Sequence, residues 1–288
     1  MASVLFGACN VAWRFGSGPA IGVVGFRALI GAFVAASISR RRGAPSWTSP
    51  LRVRSGRWAV ALSVVGLVAA GTMFRMLDGP LAGLAVACIP AVALLVRDRS
   101  GRLAVLAALG SSLAAVIGLT IASGDGVGRV TWGAALLVVA FIAIDVSTMR
   151  LSEIAVLDGV DPAAIVSSTM LCGAVVLLPA GLIYGVARDP ASLWGALGAG
   201  LAVAVLGTIG RVLRTEALPS AGVTATAASS QVNALVTAIG GIVVFGDVMS
   251  IASIVCTIVA AGLGATAVVV AARWRLQRRP DLAAALDD

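Results

Sequence analysis

The apolar run at residues 219–245 carries polar side chains at a spacing that could form a binding surface. They recur at i, i+4, i+7 and i+11, which places them along one stripe of a helix. These residues are Thr226, Ser230, Asn233 and Thr237. Their hydroxyl and amide groups can hydrogen-bond a small polar molecule, or they can join neighbouring helices, as Ser and Thr do in bilayers. Gln231 and Asn233 are about 200° apart around the helix axis, so we expect Asn233 to contact substrate and Gln231 to bond another helix.

Two charged residues lie inside other apolar runs. Arg27 is about eight residues into the run at 19–39, roughly 12 Å deep at 1.5 Å per residue. An arginine at this depth usually faces the interior of a helix bundle or water and has a partner. It is predicted either to attract an anionic or carbonyl-bearing substrate or to fix two helices through backbone carbonyls. Asp145, near the inner end of the run at 130–149, is a candidate for proton coupling or cation binding. The alternative is that its carboxylate reaches the water at the lipid headgroups.

The composition indicates an integral membrane protein. The 288 residues have a mean hydropathy of +1.04, with 59% hydrophobic and 12% charged residues. Apolar runs of about 20 residues recur, the length that crosses a hydrocarbon layer of roughly 30 Å. The net charge of +8 comes from arginine without lysine, which is typical of a GC-rich bacterial genome. Because the arginines lie between the apolar runs, the basic charge does not indicate a nucleic-acid partner.

Few residues are available for catalysis or metal binding. Histidine is absent, and metal hydrolysis needs a cluster of His, Asp or Glu ligands. A serine nucleophile needs a base within reach, and Asp145 is the one candidate base in the apolar runs. The four cysteines fall inside apolar runs with no CxxC spacing, so they are predicted to be packing residues. We therefore expect no enzyme activity, no metal and no cofactor.

Ten membrane spans are predicted. They cover residues 2–15, 19–39, 58–76, 80–96, 103–122, 130–149, 162–186, 191–213, 219–245 and 250–272. The arginines on one side of the membrane are Arg40, Arg41, Arg42, Arg52, Arg54, Arg57, Arg97, Arg99, Arg102, Arg150, Arg211, Arg214, Arg273, Arg275, Arg278 and Arg279. Those on the other side are Arg14, Arg75, Arg129 and Arg188. Because the cytoplasmic side carries the excess of arginine, both termini are predicted to lie in the cytoplasm, with the chain in a bacterial plasma membrane.

The chain repeats itself at an offset of 136 residues. Residues 71–77 (GTMFRML) return as residues 207–213 (GTIGRVL). Each half has five predicted spans, an odd number, so the two halves must cross the membrane in opposite senses. Inverted repeats are a recurrent plan of secondary transporters, whose substrate site lies where the repeats meet. The predicted organisation is a first repeat at 1–124, a second repeat at 129–273 and a cytoplasmic tail at 274–288.

Several short runs resemble the EamA-type transporters of the drug/metabolite transporter superfamily. They are residues 5–12 (LFGACNVA), 26–29 (FRAL), 82–85 (AGLA), 89–91 (IPA) and 246–247 (GD). The resemblance implies an all-α integral membrane protein with ten transmembrane helices in two inverted five-helix repeats. It also implies a secondary transporter that exports or exchanges a small metabolite across the plasma membrane by alternating access. Because similar proteins include flippases, the alternative function is a flippase, or a flippase subunit, for a lipid-linked sugar.

The candidate site and partners follow from these observations together. Asn10, in the first of the similar runs, joins Arg27 and the polar stripe as a candidate substrate-binding residue. The expected partners are a small-molecule substrate and the lipid bilayer, with no nucleic acid. A homodimer is a further candidate partner arrangement.

Overall fold

The computed structural model describes residues 1–13, 20–43, 47–76, 86, 89–93, 102–124, 132–186, 192–246, 248 and 250–278. Over these residues the chain is all-helical, and no strand occurs among them. The helices are α1 (Ala2–Trp13), α2 (Ala20–Arg41), α3 (Ser49–Arg52), α4 (Arg54–Met76), α5 (Ile89–Ala93), α6 (Arg102–Gly124), α7 (Trp132–Leu157), α8 (Pro162–Val186), α9 (Ser192–Ala228), α10 (Ser230–Phe245) and α11 (Ile251–Arg278).

Several of these helices are long and apolar enough to cross a membrane. Four qualify by length and composition, and they are Val23–Arg41, Arg54–Met73, Pro162–Ile183 and Ile251–Trp274. A fifth candidate is the pair Gly200–Ala228 and Ser230–Phe245, whose axes are bent by 47°. Shorter apolar helices occur at Ala2–Ala12 and Arg102–Gly118. The chain is therefore an all-helical protein with four or five candidate membrane spans among the residues that the structure describes.

Helix α7 ends eight residues later than predicted, at Leu157 in place of residue 149. Arg150, which we assigned to the cytoplasmic side, forms an ion pair with Glu153 within the continuing helix. Two residues after the end of the helix, Gly159 has a φ of 85°, which is easily adopted only by glycine. The last carbonyls of α7 are satisfied because the Val160 amide donates to Ala155 O and the Gly159 amide to Val156 O.

Helix α8 begins where the sequence predicted, at Pro162. Proline suits the first helical position because its missing N–H would have no intrahelical partner. The preceding Asp161 caps the helix, since its Oδ1 accepts a hydrogen bond of 2.9 Å from the Ala164 amide. Residues 158–161 therefore form a short connection between α7 and α8.

Helix α9 contains the break between the predicted eighth and ninth spans. Gly222 has φ 84° and ψ 168°, outside the helical region, and separates the two helical parts of α9. We expected the eighth span to end at residue 213 and Pro219 to begin the ninth, but the helix continues through Pro219 to this glycine. Residues 214–218 are therefore helical and do not form a loop. A second, smaller discontinuity at Ser229 separates α9 from α10.

The helices pack through small residues. The most extensive contacts join α2 to α8, α6 to α11, and α4 to α7, and α9 also packs against α1 and α2. Buried alanines such as Ala108, Ala228 and Ala267 form small clusters where α6, α9 and α11 meet. Small side chains let helix backbones approach closely, which is how helices associate when lipid removes the hydrophobic driving force.

Two predicted segments lie largely outside the described residues. Of the predicted span at 80–96, the structure describes Val86 and helix α5. The predicted tail at 274–288 begins inside α11, which continues to Arg278, and residues 279–288 lie outside the described part of the chain.

Candidate functional site

A cavity of about 70 Å³ lies among helices α1, α2, α4, α7, α9 and α10. Its walls combine apolar side chains, such as Phe6, Leu67 and Phe141, with a group of polar and charged ones. Six of the seven residues proposed from the sequence line it, namely Asn10, Arg27, Asp145, Thr226, Ser230 and Asn233. The structure thus brings together residues that are as far apart in sequence as α1 and α10.

The amide of Asn10 connects α1 to α10. Its Nδ2 donates to Asn233 Oδ1 at 2.8 Å and to Thr237 Oγ1 at 3.2 Å. The Thr237 hydroxyl donates in turn to the Asn233 backbone carbonyl at 2.8 Å. Thr237 does not line the cavity but supports the two asparagines that do. Buried amides need such partners, so this network fixes the position of the Asn233 side chain at the cavity wall.

The remaining polar residues of the stripe lie near the discontinuity at Ser229. The Ser3 hydroxyl of α1 donates to Ser229 Oγ at 2.9 Å, and the Ser230 hydroxyl donates to Val86 O at 3.3 Å. Thr226 is 4% exposed, and its Oγ1 has no hydrogen-bond partner among the described residues. Because a buried hydroxyl without a partner is costly, Thr226 is a group that could bond a molecule in the cavity.

Gln231 lies on the other side of α10, as expected from its position around the helix axis. Its side chain is fully buried and does not line the cavity. A Cβ placed on Gly264 of α11 would come within 3.0 Å of the Gln231 side chain and 2.2 Å of Ala228 O. Glycine at position 264 therefore allows α11 to pack directly against Gln231.

Arg27 is buried and reaches the cavity from α2. Its guanidinium lies against Gly207 of α9, since a Cβ on Gly207 would be 2.9 Å from Arg27 Nη2. The same Cβ would be 3.1 Å from the Sγ atom of Cys9. Glycine at position 207 therefore makes room for the guanidinium between α2 and α9.

Asp145 is deeper in its helix than predicted and forms an ion pair. Because α7 continues to Leu157, Asp145 lies twelve residues before the helix end, roughly 18 Å along the axis. Its carboxylate accepts two hydrogen bonds from Arg214, at 3.1 Å from Nη1 and 2.5 Å from Nη2. The Arg214 guanidinium also lies 5.7 Å from the centre of the Phe6 ring, close enough for a cation–π interaction.

Arg211 and Arg214 are site residues that the sequence analysis missed. We assigned both to the cytoplasmic side, Arg211 at the end of the eighth span and Arg214 after it, but both lie within α9 and line the cavity. The prediction was wrong because arginine after an apolar run was taken to mark the membrane surface. One signal was present: Gly207, Arg211 and Arg214 recur at i, i+4 and i+7, so they share one face of a helix.

A second cavity of about 30 Å³ adjoins the first. Both cavities are lined by Asp145, Arg211 and Arg214, so these three residues lie between them. The second cavity also has hydroxyl groups in its walls, from Ser63, Thr148, Ser152, Thr169 and Thr215. The charged residues thus lie between the two cavities, both of which have polar walls.

The chemistry available in the first cavity is that of binding. Its described walls offer guanidinium donors, one carboxylate, amides and hydroxyls. In the described part of the chain, no group of three or more His, Cys, Asp or Glu side chains is placed to hold a metal ion. Guanidinium groups bind carboxylates and phosphates through paired hydrogen bonds, so the charged end of the cavity is suited to recognising an acidic group.

Compared with known proteins, the chain matches no family model and no curated protein. A protein of known crystal structure shares its fold, with a TM-score of 0.69. The match covers 95% of this chain and 96% of the other, and the two sequences are 16% identical. At this identity the likeness concerns the fold alone.

Proposed function

We propose that this protein is a secondary transporter of the plasma membrane, which exports or exchanges a small metabolite by alternating access. Its ten spans would form two inverted repeats of five, with both termini in the cytoplasm, as in the EamA-type transporters that it resembles. The cavity among α1, α2, α4, α7, α9 and α10 would be the substrate site.

The pairing of the helices supports the inverted repeat. The offset of 136 residues places α2 over α8, and the order of the helices in the two halves makes α11 the counterpart of α6. Helices α2 and α8 pack against each other, as do α6 and α11. The contact of α4 with α7 has its counterpart in the contact of α9 with α1. If a two-fold axis relates the halves, each contact between two helices must recur between their counterparts, and these pairs follow that rule.

The observation that carries the functional proposal is that polar residues from both halves line one cavity. Asn10 and Arg27 come from the first half, and Arg211, Thr226 and Asn233 come from the second. Secondary transporters with inverted repeats bind substrate at this type of interface. Placing an ionisable residue inside a membrane costs free energy, and such residues usually mark substrate or ion pathways. A substrate pathway would therefore explain the buried arginines.

The size of the cavity favours a small solute. Its volume of about 70 Å³ is well below the roughly 300–1,000 Å³ of pockets that bind drug-sized ligands. A metabolite of a few heavy atoms suits this volume better than a lipid-linked sugar. The proposed substrate is therefore a small, polar metabolite.

The proposal can be tested without knowing the substrate. Purified protein is reconstituted into liposomes loaded with a ¹³C-labelled extract of small metabolites, and mass spectrometry identifies the compounds that leave. We expect a restricted set of compounds to leave faster than from protein-free liposomes. Arg27→Leu should abolish this release while still inserting into the membrane, and Arg27→Lys should recover little of it, because lysine lacks the planar donor fork.

The matched control is Arg40→Gln, which removes an exposed arginine at the end of α2 and should leave release unchanged. Equal release from wild-type and protein-free liposomes would contradict the transporter proposal. Normal release by Arg27→Leu would show that the cavity is not the pathway.

A further inference from the structure

Three guanidinium groups follow one face of α9. Gly207, Arg211 and Arg214 are spaced at i, i+4 and i+7, and the Arg27 guanidinium lies against Gly207. At 1.5 Å per residue, Arg211 is about 6 Å and Arg214 about 10 Å further along the axis than Gly207. The cations therefore form a row, which we call the arginine row, from the middle of the bundle toward the second cavity.

Arg211 lies in the middle of the arginine row, between the guanidinium groups of Arg27 and Arg214. Among the described lining residues, Asp145 is the one carboxylate that faces the three arginines. It forms its two hydrogen bonds with Arg214, at the end of the row. The charge of Arg211 is thus left without an ion-pair partner among the described residues. Unbalanced charge is costly in a low-dielectric interior, so a negatively charged occupant would stabilise this arrangement.

Arg211 itself indicates where such an occupant would bind. Its Nη1 atom is buried and has no hydrogen-bond partner within the described residues. The charged side chains that act on it are Arg27 and Arg214, both cations, and Asp145. Because guanidinium N–H groups rarely stay unsatisfied when buried, Nη1 is a donor available to a bound acid group.

We propose that the cavity binds a small organic anion, whose carboxylate or phosphate group lies between Arg27 and Arg211. The uncharged part of this molecule would face the hydroxyl and amide groups of Thr226, Ser230 and Asn233. The inference specifies the substrate class of the transporter proposed above, and in that respect it rests on the proposed function.

Asp145 and Arg214 give the same anion a route onward. Together with Arg211 they border both cavities, so an anion that moves along the arginine row reaches the Arg214–Asp145 pair next. It can take the place of the Asp145 carboxylate on Arg214 only if that ion pair opens. The pair is therefore placed to separate the two cavities until an anion competes for Arg214.

Binding to the purified protein tests the inference directly. Isothermal titration calorimetry is carried out with phosphate, lactate and succinate, and with lactamide and succinamide as uncharged analogues. We expect at least one anion to bind at millimolar concentration or below, and its uncharged analogue to show no binding. Failure of all three anions to bind, or equal binding by an amide, would overturn the proposal.

Variants of Arg211 locate the site. Arg211→Gln should weaken anion binding by about 10- to 100-fold, the usual range for losing a hydrogen bond to a charged group. Arg211→Lys keeps the charge and should still bind several-fold more weakly than wild type, because its ammonium lacks the guanidinium fork. Arg40→Gln should bind as wild type does. Wild-type affinity in both Arg211 variants would overturn the assignment. If Arg211→Gln fails to fold, wild-type affinity in Arg211→Lys would overturn it.

The release assay separates this inference from the transporter proposal. If a neutral or cationic metabolite leaves the liposomes in a manner that depends on Arg27, the transporter proposal stands and the anion class is wrong. If anions bind in a manner that depends on Arg211 but no metabolite leaves, the anion site stands and the transporter proposal is wrong.

Discussion

Replacing Gly207 by alanine should displace the Arg27 guanidinium without changing any charge. The new Cβ would be 2.9 Å from Arg27 Nη2 and 3.4 Å from Arg27 Cζ. Ordinary contact begins at 3.4 Å, so Nη2 must move by about 0.5 Å. The Cys9 Sγ atom, at 3.1 Å from the same Cβ, limits movement in its direction. The guanidinium must therefore shift from its present position at the cavity wall.

The size of the effect follows from this displacement. A hydrogen bond to a charged group contributes about 1.5–3 kcal/mol, so a shift that weakens the bond from Arg27 should reduce anion affinity roughly tenfold, or about 1.4 kcal/mol. Stability should not fall, because the displaced atom is the end of a flexible side chain. Alanine is also favoured over glycine in a helix by up to about 1 kcal/mol.

The matched control is Gly198→Ala, in the same helix, where a Cβ would meet nothing within 4 Å. It gains the same helix propensity and should bind anions as wild type does. Calorimetry with the best anion measures affinity, and thermal unfolding in detergent measures stability. Equal affinity for Gly207→Ala and Gly198→Ala, at equal or greater stability than wild type, would refute the assigned position of Arg27.

Two further predictions concern the ion pair and the topology. Asp145→Asn leaves the partly buried Arg214 without its carboxylate, so we expect a loss of about 3 kcal/mol in the free energy of unfolding. Glu216→Gln removes the carboxylate of an exposed ion pair with Arg42 and should cost about 1 kcal/mol or less. Denaturant unfolding measures the free energy of unfolding of both variants. Equal losses for Asp145→Asn and Glu216→Gln would contradict the importance of the Asp145–Arg214 pair. A reporter that is active only outside the cytoplasm should be silent after Arg279 and active within residues 124–128. Activity at both sites, or the reverse pattern, would contradict the inverted ten-span arrangement.

The polar stripe could be predicted because it depends on local periodicity. Residues at i, i+4 and i+7 share a helix face in any straight helix, so the stripe from Thr226 to Asn233 could be assigned to one side. The same rule placed Gln231 on the opposite side, and the structure has it packed against α11. The short discontinuity at Ser229 does not disturb this arrangement.

The pairing of Asp145 with Arg214 could not be predicted in the same way. Asp145 and Arg214 are 69 residues apart in sequence, and no local pattern indicates that they pair. An arginine beside an apolar run usually marks the membrane surface. An ion pair with a carboxylate on a neighbouring helix allows the arginine to lie inside the bundle instead. Arg214 could therefore remain inside the bundle, and the boundaries of α7 and α9 were predicted too early for the same reason.

In the transporter that we propose, one cavity opens in turn to both sides of the membrane. Asn233→Cys and Gln231→Cys are each made in a protein from which Cys9, Cys88, Cys172 and Cys256 have been removed. A membrane-impermeant thiol reagent is applied to intact cells and to inside-out vesicles. We predict that the cysteine at position 233 reacts from both sides, with substrate changing its reactivity, and that the cysteine at position 231 reacts from neither. Reaction at position 233 from only one side, or labelling at 231 with protection at 233, would contradict the account.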